Sequence, residues 1–204
     1  MITIIDYGLG NIRAFVNLYE RLNIKIKIAH LPDDLKEASK IILPGVGAFD
    51  HAMMQLNHSG MRDELEKQVL LNKIPVVGIC VGMQMLAKSS EEGKLQGLGW
   101  IEGNVKIFDA SQIPYKTRLP HMGWNTINPI NESPLLYGFN KESRFYFLHS
   151  YYFVCDNAEN VIATTEYGIV YASAVKKDNI FGIQFHPEKS HFNGIQLLHN
   201  FAKF

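Results

Sequence analysis

The first 90 residues alternate short apolar runs with stretches of helical periodicity. Apolar runs suited to buried strands cover residues 2–6, 24–28, 41–43 and 76–79. Helical patterns cover residues 11–22, 50–57 and 61–71, and a shorter amphipathic stretch covers 33–38. Strands that alternate with helices in this way form a parallel sheet with helices on both of its faces. The pattern therefore predicts an α/β fold with a mostly parallel, twisted sheet.

The pattern changes beyond residue 100, where strand-like runs follow one another at closer spacing. These runs cover residues 101–108, 123–127, 145–154, 161–166, 170–175 and 180–185, and a helical pattern follows at 191–204. Closely spaced strands favour antiparallel pairing, so we predict antiparallel additions to the sheet in the C-terminal half. No repeat or linker interrupts the chain, and we expect residues 1–204 to form a single domain with one long loop at 110–119.

Composition and charge limit the kinds of molecule and the cellular compartment that we expect for this chain. Lysine plus arginine and aspartate plus glutamate each number 20, without a long run of one sign, so nothing predicts binding to nucleic acid or to an acidic membrane surface. No apolar stretch approaches the about 20 residues that span a bilayer, and residues 1–6 resemble a strand rather than a signal peptide. Two cysteines are too few for a disulfide framework, which predicts a soluble protein of the reducing cytoplasm.

One of the two cysteines, Cys80, lies in the stretch PVVGICVGMQML at residues 75–86. A predicted strand ends at this cysteine and helical periodicity begins directly after it, with Gly78 and Gly82 two positions to either side. Small residues around a nucleophile allow the strained strand-to-helix turn known as a nucleophile elbow. A cysteine that only filled the core would not need these glycines. We therefore predict that Cys80 is a nucleophile.

A cysteine nucleophile reacts as the thiolate and needs a base nearby in the fold. The stretch FGIQFHPEKS supplies His186 and Glu188 at the end of the last predicted strand. Pro187 favours an extended conformation for the residue before it, and side chains two positions apart on an extended chain point the same way. An imidazole beside a carboxylate can take the thiol proton, which predicts a catalytic triad of Cys80, His186 and Glu188.

Acyl chemistry also needs N–H donors for the developing oxyanion. Gly45 and Gly47, in the stretch LPGVGAF after the third strand, give a flexible backbone segment that can turn such donors. This loop and the loops DYGLGN and GICVGMQ all follow parallel strands, so we expect the three to converge on one site. The GLG at 8–10 resembles the start of a dinucleotide fingerprint, but Arg13 replaces its last glycine. No metal-ligand spacing is present either, and we expect no cofactor and no metal.

The ordered motifs PGVGAF, GICVGMQ, HSYY and FHPEKS resemble those of the class I glutamine amidotransferases, and the resemblance covers essentially the whole chain. It implies a flavodoxin-like fold and an enzyme that hydrolyses L-glutamine to L-glutamate and ammonia. It also implies that Cys80 forms a glutamyl thioester while His186 acts first as base and then as acid. Positions that match the family's oxyanion loop are Gly45, Val46, Gly47 and Val81, and those that match its glutamine-binding residues are Gln84, Glu92, His149, Ser150 and Tyr151.

Two segments narrow the resemblance within the class. The loop PGVG and the stretch RLPHMGWN at 118–125 resemble those of glutaminase subunits that supply a cyclase subunit in histidine biosynthesis. The resemblance implies a heterodimer with a cyclase of the (β/α)-barrel type, which receives ammonia through an internal passage. The residues that match the contact face are Asn11, Pro120, His121, Met122, Gly123, Trp124, Asn125 and Lys189.

Other interpretations stay open from the sequence. A paralogous glutaminase subunit would supply ammonia for amidation of a surface sugar, with unchanged chemistry at Cys80. A free-standing cysteine hydrolase of γ-glutamyl compounds would share the elbow and His186 but would need no partner face. A binding module with an inactive site is disfavoured by the complete triad. Taken singly, Asn11 also suits a helix N-cap, Trp124 a strand core and Lys189 a solvated charge.

Overall fold

The computed structural model describes all residues, 1–204. Its strands are β1 (Ile2–Ile5), β2 (Ile26–Ala29), β3 (Lys40–Gly45), β4 (Val76–Cys80), β5 (Ser89–Ser90), β6 (Gly103–Ile107), β7 (His121–Thr126), β8 (Asn128–Pro129), β9 (Arg144–His149), β10 (Tyr151–Cys155), β11 (Val161–Tyr167), β12 (Ile169–Lys177) and β13 (Ile180–Ile183). Its α helices are α1 (Ile12–Arg21), α2 (Phe49–His58), α3 (Arg62–Glu66), α4 (Val81–Gln84) and α5 (His191–Lys203). Short 3₁₀ helices cover Pro32–Leu35, Ala110–Gln112, Pro134–Leu136, Ala158–Asn160 and Pro187–Lys189, and a π-helical turn covers Lys67–Leu71.

Five neighbouring strands of the main sheet are parallel, in the order β2-β1-β3-β4-β13. This order corresponds to the 2-1-3-4-5 arrangement of flavodoxin-like sheets, with β13 in the fifth place. Strand β4 lies between β3 and β13, with Cys80 opposite Gly45 and Ile79 opposite Ile183. The prediction of an α/β fold with a mostly parallel sheet is confirmed.

Strand β13 joins the parallel part of the sheet to an antiparallel part. The order continues β13-β12-β10-β6 with antiparallel pairing, and β5 adds a parallel edge to β6. Strand β11 pairs with β12 and with β8. Strands β7 and β9 form a separate two-stranded antiparallel sheet. The predicted antiparallel additions in the C-terminal half are therefore confirmed.

The helices bury apolar faces over the sheet. Helix α1 buries Phe15, Val16 and Tyr19 and contacts α5, while α2 packs against α4. In all, 54 buried apolar residues form one continuous core cluster. Full burial of a large apolar side chain contributes about 1.5–3 kcal/mol, so this core holds the carboxyl ends of the parallel strands in fixed positions. None of the helices combines the length and apolar character needed to cross a membrane.

The structure differs from the predicted elements in two respects. The strand predicted at 145–154 is two strands, β9 and β10, which separate at Ser150 and belong to different sheets. The stretch predicted at 33–38 contains a 3₁₀ helix, and the helix predicted at 61–71 is α3 followed by a π-helical turn. The spacing of apolar residues does not distinguish these helix types, and it does not report which sheet a strand joins.

Candidate active site

Cys80 is the last residue of β4 and directly precedes helix α4. Its backbone lies at φ 55° and ψ −113°, a strained conformation for a residue with a side chain. A Cβ on Gly78 would lie 2.4 Å from the Gly82 carbonyl oxygen, and a Cβ on Gly82 would lie 2.0 Å from the Leu43 carbonyl oxygen. The chain thus forms the predicted strand-to-helix turn, and the close approach of backbones explains both glycines.

His186 follows β13, the strand beside β4, and it lines the same cleft as Cys80. Its Nδ1 lies 2.9 Å from Glu188 Oε1, and both side chains are buried. Since Nδ1 faces the carboxylate, Nε2 is the nitrogen left for the thiol. The structure therefore brings together the three residues that the sequence proposes as a triad.

Opposing effects act on the pKa of His186. Burial lowers it, but hydrogen bonds and charge interactions with Cys80 and Glu188 outweigh burial and raise the pKa to about 10. The ordinary pKa of histidine is about 6.5, so His186 is protonated at neutral pH in this arrangement. An imidazolium stabilises a neighbouring thiolate, which is the reactive form of a cysteine. The protonated His186 can also donate its proton to a leaving group.

The path of the chain at Pro187 differs from the predicted one. His186 is extended, at φ −100° and ψ 97°, but the residues that follow it form a 3₁₀ helix. The Ser190 hydroxyl donates to the His186 carbonyl oxygen at 2.6 Å and accepts from the Tyr146 N–H at 3.0 Å. His186 and Glu188 therefore meet because a tight turn folds the carboxylate back toward the imidazole. The predicted pairing of the two side chains is right, but the predicted extended path of the chain beyond His186 is wrong.

A cleft of about 320 Å³ opens beside Cys80 and His186. Its volume is at the lower end of the about 300–1,000 Å³ typical of small-molecule sites. The other residues that line it are Val46, Gly47, Val81, Gln84, Glu92, Pro120, Leu148, His149, Ser150, Tyr151 and Lys189. All five predicted glutamine-binding residues thus share one cleft with the predicted nucleophile. Glu188 does not line this cleft and instead supports His186 from behind.

Hydrogen bonds within the protein fix two of the lining side chains. Gln84 Nε2 donates to the Tyr151 carbonyl oxygen and to Gln184 Oε1, both at 3.2 Å. Glu92 Oε2 accepts from the Phe49 N–H at 2.9 Å, at the beginning of α2. The Glu92 carboxylate is therefore held in the wall, where its negative charge suits an ammonium group of a ligand.

The predicted oxyanion loop has a fixed part and an open part. The Tyr7 hydroxyl donates to the Pro44 carbonyl oxygen at 2.6 Å, and a Cβ on Gly45 would lie 2.3 Å from the backbone of the elbow. Val46 is exposed, and Gly47 has φ +83° with no atom within 4 Å of a Cβ built on it. The peptide between Val46 and Gly47 therefore lies at the cleft with room to rotate.

The DYGLGN loop supports the site without lining the cleft. A Cβ on Gly10 would lie 2.7 Å from Pro44 Cβ, so this loop packs directly on the start of the oxyanion loop. The next residue, Asn11, is exposed at the N-cap position of α1 and makes no side-chain capping hydrogen bond. Two of the three loops predicted to converge, LPGVGAF and GICVGMQ, therefore line the cleft, and DYGLGN packs behind them. Asn11 occupies the N-cap position but does not cap the helix with its side chain.

Part of the predicted contact face lines a second groove, of about 430 Å³, on β7. Met122 is 59% exposed and Trp124 is 39% exposed, which excludes the interpretation of Trp124 as strand core. The Trp124 ring stacks on His191, with 5.2 Å between centroids. His121 is only 3% exposed and stacks on Tyr167 at 4.0 Å. His121 also lines the groove, although most of its ring packs inside the protein, and its part in a partner contact stays a prediction.

The remaining predicted contact residues lie at the groove or at the cleft. Gly123 and Asn125 line the groove together with Met122 and Trp124. Pro120 and Lys189 line the cleft instead, and Lys189 Nζ lies 5.6 Å from the centroid of a neighbouring tyrosine ring. The residues predicted to form one contact face are therefore divided between the groove and the cleft.

Sequence reasoning missed two residues beside the nucleophile. Cys80 Sγ lies 3.8 Å from the Leu148 carbonyl oxygen and 3.8 Å from Gln184 Nε2. Gln184 is a buried polar residue in the otherwise apolar run FGIQF, and a buried amide needs hydrogen-bond partners. That interruption of the apolar run is the signal by which Gln184 could have been found. No group of three or more histidine, cysteine, aspartate or glutamate side chains is arranged to hold a metal ion.

Comparisons with known proteins agree with this geometry. Imidazole glycerol phosphate synthase subunit HisH of Bdellovibrio bacteriovorus is 55% identical over 205 residues, which is 100% of each chain. The protein of the same name from Leptospira interrogans is 52% identical over 202 residues, which is 99% of each chain. In fold, the chain is similar to the solved structure of PurLQS from Thermotoga maritima, with a TM-score of 0.73, 20% identity and coverage of 98% of this chain and 96% of that one. The family model described as glutamine amidotransferase class-I matches residues 3–203, and the chain therefore belongs to the class I glutamine amidotransferase family.

Proposed function

We propose that this chain is the glutaminase subunit of imidazole glycerol phosphate synthase. It hydrolyses L-glutamine to L-glutamate and ammonia, and it passes the ammonia to a cyclase subunit of the (β/α)-barrel type in histidine biosynthesis. The observation that carries the proposal is the placement of Cys80 and His186, with Glu188 behind them, in a cleft that contains every predicted glutamine-binding residue. Two relatives that share more than half of its residues bear the name of this subunit, which supports the choice of pathway.

The reaction begins when the Cys80 thiolate attacks the side-chain amide carbon of glutamine. The tetrahedral intermediate collapses as His186 gives its proton to the leaving nitrogen, so ammonia departs and a glutamyl thioester remains. His186 then takes a proton from water, and the resulting hydroxide attacks the thioester. Glutamate leaves as the thiolate is restored. Glu188 orients the ring through its contact with Nδ1 and stabilises the imidazolium.

The cleft offers complementary groups for the amino-acid end of glutamine. Glu92, held in the wall by the Phe49 N–H, pairs with the α-ammonium group. Donors from Ser150 and Tyr151 hold the α-carboxylate. Gln84 fixes this segment because its Nε2 donates to the Tyr151 carbonyl oxygen. Glutamine is then held by its α-ammonium and α-carboxylate groups, with its side-chain amide carbon toward Cys80.

The oxyanion is stabilised by backbone N–H groups on both sides of the nucleophile. Val81 begins α4, and N–H groups in the first turn of a helix have no intrahelical partner. The peptide between Val46 and Gly47 supplies the second donor when it is turned toward the cleft. Loss of one such donor costs about 10²–10³ in rate, so the orientation of this peptide sets how fast the subunit works.

Residues 1–204 act as a single glutamine amidotransferase domain, and the acceptor of ammonia is on the cyclase. Exposed Met122 and Trp124 beside the groove on β7 are the apolar anchors for that partner. Lys189, at the edge of the cleft, offers a charge for an ion pair across the contact. Both cysteines are free thiols, and we place the complex in the cytoplasm, where such thiols stay reduced.

The variant Cys80→Ala tests the division of labour between the two subunits. In the complex with the cyclase, glutamine-dependent synthesis of imidazole glycerol phosphate should fall to background because the nucleophile is lost. Synthesis from added ammonium salt should continue at the wild-type rate, since the cyclase site is elsewhere. Co-purification of the two subunits checks assembly. Loss of ammonium-dependent synthesis by an assembled complex would contradict the proposal.

The same assay separates the alternatives by their response to a partner. The isolated chain should hydrolyse glutamine slowly, and the nucleotide-loaded cyclase should accelerate it by roughly 10² or more, the size of one oxyanion donor. Full activity without a partner would instead identify a free-standing γ-glutamyl hydrolase. Stimulation only by a subunit that amidates a surface sugar would identify the paralogous glutaminase.

A further inference from the structure

Five polar residues form a continuous row from β7 to the cleft. Asn125 Nδ2 lies 3.3 Å from His121 Nε2, and His121 Nδ1 lies 3.1 Å from the Tyr171 hydroxyl oxygen. That oxygen lies 3.1 Å from His149 Nε2, and His149 Nδ1 lies 2.8 Å from the Tyr151 carbonyl oxygen. We call these five residues the polar row. The reaction proposed above uses only the end of it that lies in the cleft.

The three middle members of the row are buried and uncharged. Burial lowers the pKa of His121 to about 4. Burial, together with the charge that His121 would carry, lowers the pKa of His149 to about 3. Burial raises the pKa of Tyr171 far above its ordinary value. At neutral pH each imidazole therefore carries one proton, and Tyr171 keeps its hydroxyl hydrogen.

The cleft end of the row decides where these hydrogens lie. A carbonyl oxygen only accepts, so the single proton of His149 is on Nδ1 and donates to Tyr151, which leaves Nε2 as an acceptor. The Tyr171 hydroxyl must then donate to His149 Nε2, and its oxygen accepts from His121 Nδ1–H. His121 Nε2 is left as an acceptor for the Asn125 amide.

The other end of the row gives the same answer independently. Asn125 Nδ2 also donates to the Glu166 carbonyl oxygen at 2.9 Å, and Asn125 Oδ1 accepts from the Thr126 N–H at 2.8 Å. These contacts fix which end of the amide is the donor. Every hydrogen bond in the row therefore donates in one direction, from β7 toward the cleft.

The cleft end of the row is where the chain passes from one sheet to the other. Ser150 lies between β9 and β10, and the carbonyl of the next residue, Tyr151, accepts from both His149 and Gln84. We infer that Tyr171 is a positioning residue for the glutamine site, because its hydroxyl completes the row and so fixes the Ser150–Tyr151 backbone. The identity of the ligand rests on the proposed function, whereas the row itself does not.

Nitrogen NMR of the imidazole rings tests the row without any assumption about activity. In wild-type protein with ¹⁵N-labelled histidine, His121 and His149 should both be neutral with the proton on Nδ1. This is the less common tautomer of free histidine, so the result is diagnostic. The signals are assigned with His121→Asn and His149→Asn. A proton on Nε2 of either ring, or a charged ring at neutral pH, would overturn the inference.

The variant Tyr171→Phe tests the consequence for glutamine. It removes the hydroxyl alone and leaves His149 Nε2 buried without a donor. In the complex with the cyclase, KM for glutamine should rise about tenfold while kcat changes less than about threefold, as expected for loss of one buried hydrogen bond that positions substrate. The matched control is Tyr19→Phe, which removes a buried hydroxyl that donates to the Leu198 carbonyl oxygen at 3.2 Å, between α1 and α5 and outside the row. Its KM should not change.

Two further measurements keep the test decisive. If Tyr171→Phe lowers the unfolding temperature so far that kinetics are not comparable with the control, the row is tested in Asn125→Ala by the same NMR measurement. The cleft end alone should still keep the His121 proton on Nδ1, and a proton on Nε2 would overturn the inference. If the wild-type complex does not hydrolyse glutamine, the proposed function fails while the tautomer result stands. If the complex is active and KM is unchanged in well-folded Tyr171→Phe, the positioning role fails.

Discussion

The two sides of the proposed oxyanion site both depend on glycine, but for opposite reasons. On the elbow side, a Cβ on Gly82 would lie 2.0 Å from the Leu43 carbonyl oxygen, so no other residue fits. On the loop side, a Cβ on Gly47 would meet no atom within 4 Å, and glycine is favoured there by φ +83°. One glycine lets two backbones touch, and the other lets a peptide turn. The nucleophile is therefore held rigidly while one of its N–H donors is adjustable.

The variant Gly82→Ala should have the largest effect, because the added methyl group meets backbone that has no room to move. Overpacking of this kind costs typically 1–3 kcal/mol, and we expect a loss of roughly 3 kcal/mol in the free energy of unfolding. Displacement of the elbow by about 1 Å should lower glutaminase activity by at least about 10². Denaturant unfolding and glutamine turnover in the complex measure the two effects. Wild-type turnover in Gly82→Ala would show that the elbow is not rigid.

The variant Glu188→Gln should have an intermediate effect, because it changes the support of His186 and leaves the elbow unaltered. The amide oxygen can still accept from Nδ1, but a neutral group stabilises the imidazolium less. We expect kcat to fall by roughly 10–10³, less than after removal of the nucleophile. Activity equal to that of Cys80→Ala would assign Glu188 a larger role than support.

The pH dependence of the free energy of unfolding gives a second test of Glu188→Gln. The pKa of His186 is raised to about 10, so the protonated ring stabilises the folded state fully below about pH 6.5, and this contribution is lost as pH rises toward 10. Glu188→Gln raises that pKa less. It should therefore be less stable than wild type by roughly 1–2 kcal/mol at about pH 6, and the difference should shrink toward pH 10. A difference that is constant over this range would contradict the assignment.

The variant Gly47→Ala should have the smallest effect. The methyl group has open space around it, so the only cost is the left-handed backbone, about 1–2 kcal/mol. We expect a loss of about 1 kcal/mol in unfolding free energy and a change in turnover of less than about tenfold. The ratio of turnover with and without the cyclase reports whether the peptide still turns. A loss as large as that of Gly82→Ala would erase the contrast between the two sides.

The fold could be predicted because its signals are local. Alternation of apolar runs with helical patterns identified the parallel strands, and the glycines around Cys80 identified the elbow. The pairing of His186 with Glu188 followed from two positions in sequence, although a 3₁₀ turn and not an extended strand produces it. Features confined to a few consecutive residues were thus accessible from the sequence.

Other features depend on contacts between distant segments, and no local pattern reports them. The break at Ser150 was missed because residues 145–154 form one strand-like run that only His149 and Ser150 interrupt, and the run joins two sheets. The burial of His121 was missed because it depends on Tyr167 and Tyr171, far along the chain. The motif match indicated only a contact residue, whereas the structure shows a buried ring in the wall of the groove.

The position of β13 also determines when the enzyme becomes active during its synthesis. This strand is the last in the sequence, yet it lies between β4 and β12 in the sheet and leads directly into His186. Until β13 leaves the ribosome, β4 has an unpaired edge and the Cys80 thiol has no base. Pairing between such distant segments is slow, so insertion of β13 is a late event in folding. An incomplete nascent chain therefore carries the nucleophile but releases no ammonia.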